Sequence, residues 1–284
     1  MKNFILCITA LFLLSWCPAV PAESTPASSR MFGVTVDRIY NLPDTVEALK
    51  KLPVRPWVRL VFDPGVQPAT YANAVTEIGA VADIVGQPVD SASAKEYDVA
   101  QYKKRFQDYV SAFPTIPMWE ISNESNGDWA GKNMPAQADV AFDVVHAAHK
   151  KTMITLHYNN AACADKNGDW LKWTKRHIST KIKLGVDLVA VSIYGKDCEG
   201  FEPAEKEIQA FTEKLGVMFP HANIGIGEFG SDKNLKDAER VARHYLGLNI
   251  QYPRWVFFGG FWYFSEMAVP ASKPMWSILA GGAK

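Results

Sequence analysis

The 284-residue chain has no excess of either charge: 30 Lys and Arg are matched by 30 Asp and Glu. It therefore lacks the basic excess or basic stripe that a nucleic-acid partner requires, and no polybasic run is present to hold an anionic membrane surface. Cysteine is scarce, with four in all. Cys7 and Cys17 lie in the leader described below, so only Cys163 and Cys198 remain for the fold. There is no Cys-x-x-Cys and no His-Glu-x-x-His, and no carboxylate cluster suggests calcium, so neither a metal nor a cofactor is expected. His146 and His149 stand three apart on a helix with Asp143, a spacing that reads as an ordinary half-exposed face. A Gly-rich phosphate loop is missing after the first strand, where Asp37-Arg38-Ile39-Tyr40 stand instead. That absence argues against an open doubly wound sheet.

The N-terminus reads as a leader. Lys2 gives a short positive region. Phe4 to Trp16 is apolar but too short to span a bilayer, and Val20-Pro21-Ala22 offers small residues for cleavage. Residues 1–22 are therefore expected to be a secretory signal peptide. The mature protein would be secreted or periplasmic and free of the membrane. Residues 23–31, rich in Ser, Pro and Ala, read as a flexible lead-in. In an oxidising compartment Cys163 and Cys198 either form a disulfide or remain unpaired thiols, and their spacing does not decide between the two.

From Phe32 onward, short β-rich runs alternate with helical patterns. Strands are expected at 32–36, 57–62, 82–85, 116–121, 153–156, 188–193, 223–227 and 255–263. Helices are expected after Asp44 as N-cap and at 71–81, 96–113, 136–150, 170–183, 204–218 and 235–248, with a short last one near 276–279. Near-continuous apolar strands such as Val186 to Val191 fit a parallel sheet buried on both faces. Eight alternations in this length predict a single-domain α/β fold, a (β/α)8 TIM barrel over 32–281. No repeat or second domain is legible, and a monomer is expected.

In such a barrel, catalytic groups sit at the C-terminal ends of the strands. Those ends carry Asp37, Arg59 with Asp63, Asn123-Glu124, His157-Tyr158-Asn159, Tyr194, Glu228 and Trp262. Glu124 and Glu228 end the fourth and seventh strands, on facing sides of the mouth. Retaining cleavage of a glycosidic bond needs two carboxyl groups about 5–5.5 Å apart, one protonated to serve the leaving oxygen and one ionised to attack the anomeric carbon. Arg59 is placed to hold Glu228 ionised, Tyr194 to donate to the same carboxylate, and Asn123 to bond the sugar 2-hydroxyl.

At these residues the chain resembles the clan A glycoside hydrolases. Trp119-Glu120-Ile121-Ser122-Asn123-Glu124 resembles their acid/base strand. Ile226-Gly227-Glu228-Phe229-Gly230 resembles the nucleophile strand of family 5, and Val58-Arg59-Leu60 its second-strand arginine segment. Phe261-Trp262-Tyr263 and Ser192-Ile193-Tyr194 stand where that group places its eighth-strand tryptophan and its tyrosine. Ser125 replaces the usual proline after Asn-Glu, and Ser192 a frequent histidine. Asn123 to Trp129 is also similar to secreted barrels linked to bacterial exopolysaccharides. The resemblance implies a secreted retaining hydrolase of a β-linked polysaccharide, endo-acting, with Glu124 as acid/base and Glu228 as nucleophile. Polysaccharide or oligosaccharide would be the partner.

Several residues have two readings. Tyr194 and Trp262 suit either core packing or sugar contact, and His157 suits either a structural role or contact with sugar or the acid/base. Trp129, in a polar loop, suits sugar stacking, whereas Trp119, within a strand, suits packing. Asp37 and Asn159 are weaker subsite candidates. Three other functions remain open: a non-catalytic carbohydrate-binding barrel, a transglycosylase on the same scaffold, and an unrelated barrel enzyme, either a metal-dependent hydrolase or a Schiff-base aldolase. The last would need a lysine in an apolar pocket, and Lys196 stands instead in a polar loop with Asp197 and Glu199.

Overall fold

In a computed structural model of the chain, the residues described are 30–160, 163 and 168–283. The expected signal peptide and most of the lead-in lie outside them. Eight strands run β1 Met31–Val36, β2 Trp57–Val61, β3 Asp83–Gln87, β4 Met118–Ser122, β5 Lys151–His157, β6 Leu188–Ile193, β7 Asn223–Phe229 and β8 Trp255–Phe261. Each pairs in parallel with the next and β8 returns to β1, closing the barrel. The helices are α1 Leu42–Lys50, α2 Ala72–Val81, α3 Ser91–Ala94, α4 Val99–Ala112, α5 Met134–Ala147, α6 Trp170–His177, α7 Thr180–Gly185, α8 Glu205–Met218, α9 Leu235–Leu246, α10 Phe264–Met267 and α11 Pro274–Gly282.

Three helix expectations are corrected. The cap of α1 is Asn41, not Asp44, because Pro43 sits in the first turn, where its missing N–H costs nothing. The helix expected from Glu96 starts at Val99, where Asp98 and Gln101 form a reciprocal capping box. The helix expected over 170–183 is broken at Ile178, and the Ser179 side chain accepts from Ile182 N to start α7. The lead-in also gives up Met31, which pairs with Phe257 as the first residue of β1.

Strand alternation sorts the side chains into two layers. Outward-facing residues such as Val58, Leu60, Val189 and Val191 pack under the helices in the main core. Inward-facing Val85, Met118, Met153, Leu188, Val256 and Phe258 fill the N-terminal half of the barrel as a separate apolar plug. Further along, the inward rows become polar: Arg59, Glu120 and Thr155 are all buried inside the ring. The barrel thus has an apolar floor, a charged layer above it, and a mouth at the C-terminal ends.

Candidate active site

Glu228 owes its aim to a break in register. Ile226 pairs with Val191, but Ser192 pairs with Glu228, leaving Gly227 as an extra residue in β7. Such a bulge re-aims the side chain that follows it. Glycine suits the position, since a Cβ would lie 3.0 Å from both Ala190 Cβ and Thr155 Cγ2 and 3.4 Å from Arg59 Nη2. Glu124 stands just past β4 with φ +44°, a left-handed conformation rare for a residue with a side chain. Ser125 N, bonded to Thr155 O at 2.9 Å, and Gly127 N, bonded to Glu124 O at 2.8 Å, hold that turn.

Three donors converge on Glu228. Arg59 Nη1 donates to Oε1 in a short ion pair, Asn123 Nδ2 donates to Oε1 at 2.8 Å, and the Tyr194 hydroxyl donates to Oε2 at 2.9 Å. Burial pushes the Tyr194 phenol well above its ordinary value, with the Glu228 and Glu124 charges adding to the effect, so it keeps its proton and serves as a donor. Arg59 is shared: its Nε lies 2.8 Å from Glu120 Oε2 and its Nη2 donates to Thr155 Oγ1 at 3.1 Å.

Glu124 has a different shell. The Ser91 hydroxyl donates to Oε2 at 2.9 Å, and His157 Nδ1 lies 3.5 Å from Oε1. Trp129 Nε1 donates to Ser91 Oγ at 3.0 Å, while its indole meets the His157 ring edge-on at 4.9 Å.

The two carboxyl groups titrate as a linked pair. Burial pushes Glu228 up to about 8; Arg59 opposes this, while Glu124, Glu120 and Asp90 add to it. Burial also pushes Glu124 up, but hydrogen bonding and charge from His157, with Ser91 and Arg59, bring it below its ordinary value. A proton shared by the pair therefore leans toward Glu228. The sequence expectation is that Arg59 holds Glu228 ionised; burial outweighs that pull, and Arg59 is also paired with Glu120.

Both glutamates open on one cleft of ≈ 360 Å³ walled by Asn123, Trp129, Tyr194, Trp262 and Tyr263.

This barrel is shared with solved glycoside hydrolases. A GH30 endoxylanase from Clostridium papyrosolvens matches at 12% identity over 90% of this chain and 72% of its own, with TM-score 0.58. A GH10 xylanase from Thermobacillus composti matches at 14% identity over 82% and 84%, with TM-score 0.54. The catalytic domain of the major endoglucanase from Xanthomonas campestris matches at 13% identity over 89% and 93%, with TM-score 0.52. At these identities the likeness is one of fold. No protein-family model and no curated protein matches the sequence.

Among the residues singled out in the sequence, the cleft brings together Glu124, Glu228, Asn123, Tyr194, Trp129 and Trp262. Arg59 and His157 lie beneath it, each against one glutamate. Asp37 is not on its wall. It turns to Arg38 at 3.2 Å and adds its charge to the raised Glu266 on α10. Asn159 is buried and donates to Gly168 O at 2.9 Å, and Trp119 is fully buried, as packing requires. Cys163 and Cys198 are joined in a disulfide, which ties the segment after β5 to the 3-10 turn Gly195–Cys198 after β6. Lys196 lies at the cleft but bonds the Tyr263 hydroxyl at 3.2 Å and faces Asp232 at 3.4 Å, without the apolar surroundings a Schiff-base lysine needs.

Sequence reasoning missed Ser91, Asp90 and Glu120. Ser91 lies on a four-residue helix with no hydrophobic period. Glu120 was readable as a charge within an apolar strand, the same signal that marked Arg59.

Proposed function

We propose that the protein is a secreted retaining glycoside hydrolase, endo-acting on a β-linked polysaccharide, with Glu228 as nucleophile and Glu124 as acid/base. The observation that carries this reading is the pair of glutamates from β4 and β7 facing one cleft, each with its own set of donors. The names of the xylanases and endoglucanases that share the barrel support a β-linked polymer as substrate. The disulfide, and the absence among the described residues of any helix able to cross a membrane, support export.

In the first step a Glu228 oxygen attacks the anomeric carbon. The bond to the leaving oxygen breaks, and Glu124 gives that oxygen its proton. In the second, Glu124 takes a proton from water, the water oxygen attacks the anomeric carbon, and Glu228 leaves as carboxylate. Bound substrate shifts this proton balance toward Glu124. The glycosidic oxygen offers Glu124 an acceptor, and positive charge developing at the anomeric carbon favours ionised Glu228. Tyr194 and Asn123 hold Glu228 in line, and Trp129 and Trp262 offer flat faces to sugar rings.

The test is a screen on β-glucans, xylans, mannans and bacterial exopolysaccharides with product sizing, followed by covalent trapping with the matching 2-deoxy-2-fluoro glycoside. E228Q is expected to lose hydrolysis and E124Q to lose about 10²–10⁴-fold. The adduct should map to Glu228. An adduct on Glu124 would exchange the two roles, and undiminished cleavage by E228Q would remove the mechanism. A glycan that wild type binds but never cuts would favour the binding-barrel reading, and transfer to an added sugar would favour transglycosylation.

A further inference from the structure

Ser91 is bonded to Glu124 directly and to Glu228 only through Asn123. Its hydroxyl donates to Glu124 Oε2 at 2.9 Å, and its backbone N–H donates to Asn123 Oδ1 at 3.0 Å. With Oδ1 engaged as acceptor, the Asn123 amide must turn its NH2 toward Glu228 Oε1, which it meets at 2.8 Å. The short α3 helix therefore braces the acid/base directly and the nucleophile through one amide.

The direction of the hydroxyl is fixed as well. An indole N–H can only donate, so at 3.0 Å from Trp129 Nε1 the Ser91 oxygen must accept. Its single hydrogen is then free to point at Glu124 Oε2. The Oε2 edge of Glu124 is thereby held by a directed bond, while His157 Nδ1 stands 3.5 Å from Oε1 on the other edge.

Resting on the acid/base role given above to Glu124, we propose that Ser91 and Trp129 act as a positioning pair that fixes the Oε2 edge of the Glu124 carboxyl group. Trp129 orients the hydroxyl, and the hydroxyl keeps Oε2 an acceptor. Because Trp129 also forms part of the cleft wall, one side chain both faces the sugar and, through Ser91, positions the acid. The other groups that face Glu124 are His157 from β5, Arg59 from β2, Asp90 before α3, Tyr194 and Asp197 after β6, and Glu228 from β7. His157 approaches the opposite oxygen, Oε1, so a substitution at Ser91 addresses the Oε2 contact alone, while W129F removes the N–H and keeps a ring against His157.

The experiment is a carboxyl ¹³C NMR titration of free enzyme labelled at glutamate side chains, with the Glu124 resonance assigned by its loss in E124Q. A donor to the ionised form lowers a carboxyl pKa. S91A should therefore raise the Glu124 midpoint by about one pH unit, and S91T should restore it. W129F keeps an aromatic face but loses the N–H. It should move Glu124 in the same direction, and the S91A/W129F double variant should match S91A alone, since Trp129 acts through the hydroxyl. The alkaline limb of the kcat profile, which reports the substrate complex where Glu124 carries the proton, should also shift upward on whichever glycan wild type cleaves. A Glu124 midpoint unmoved in W129F, or a double variant equal to the sum of the singles, would overturn the pair. The titration needs no turnover, so that failure is read separately from failure of the hydrolase reading, which the E124Q and E228Q rates decide.

Discussion

Arg59 Nε lies 2.8 Å from Glu120 Oε2, with both side chains wholly removed from solvent, while the other edge of the same guanidinium bonds Glu228. One buried cation therefore serves two carboxylates. In E120Q the full charge of Arg59 is released to Glu228 and a repelling neighbour is lost, so the Glu228 midpoint falls. In the mechanism proposed above ionised Glu228 attacks, so the acid limb of the kcat profile, which reports the substrate complex, should move to lower pH. In R59M two buried carboxylates lose their counter-charge, and urea unfolding should show a loss of about 3–5 kcal/mol. An unchanged unfolding midpoint would contradict the charged layer.

Glu228 also makes stability depend on pH. Its folded-state pKa of about 8 lies above the ordinary 4.5. Between those values the native state holds a proton that the unfolded chain has released, so the contribution is complete below about 4.5 and is lost as pH rises through about 8. Wild type should lose stability across this window. E228Q, which cannot ionise, should lose less, and above pH 8 it should melt at a higher temperature than wild type. Parallel melting curves for the two across pH 5 to 9 would sink this account.

The Tyr194 hydroxyl meets Glu228 Oε2 at 2.9 Å. Y194F removes a donor to a charged group and leaves the ring in place. A loss of about 10- to 100-fold in kcat is expected, with little change in the melting temperature. A fall in stability without loss of rate would assign the tyrosine to packing instead.

The Cys163–Cys198 bond links residues 35 positions apart and anchors the turn that carries Lys196 and Asp197 to the cleft. Paired replacement by serine should cost about 3–4 kcal/mol by the chain-entropy argument. It should also raise KM more than it lowers kcat, because the wall is loosened while Glu124 and Glu228 stay on their strands. Steady-state kinetics on the C163S/C198S variant separates the two effects.

Much of this architecture was legible because a strand buried on both faces must be apolar along nearly its whole length. β6 was bounded to the residue for that reason, since Leu188 to Ile193 is broken only by Ser192 and every position in it is buried. Helix starts were harder where a proline or a second cap competed with the obvious one, as at Asn41 and Ser179. Glu124 and Glu228 were readable as polar residues closing apolar strands. The bulge at Gly227 was not readable, because register is set by contacts with β6 that no local pattern encodes. Ser91 escaped for a related reason: it gains its meaning from Glu124 and Asn123, 33 and 32 positions away.

The left-handed backbone of Glu124, at φ +44°, points to a use for the protein with its chemistry switched off. Glycine and asparagine tolerate that conformation better than glutamate does. E124G and E124N would then relieve the turn as they delete the proposed acid, so the variant barrel should be at least as sturdy as wild type. Such a variant would hold intact glycan without consuming it and could serve as an affinity reagent for fishing the natural polymer out of a crude extract.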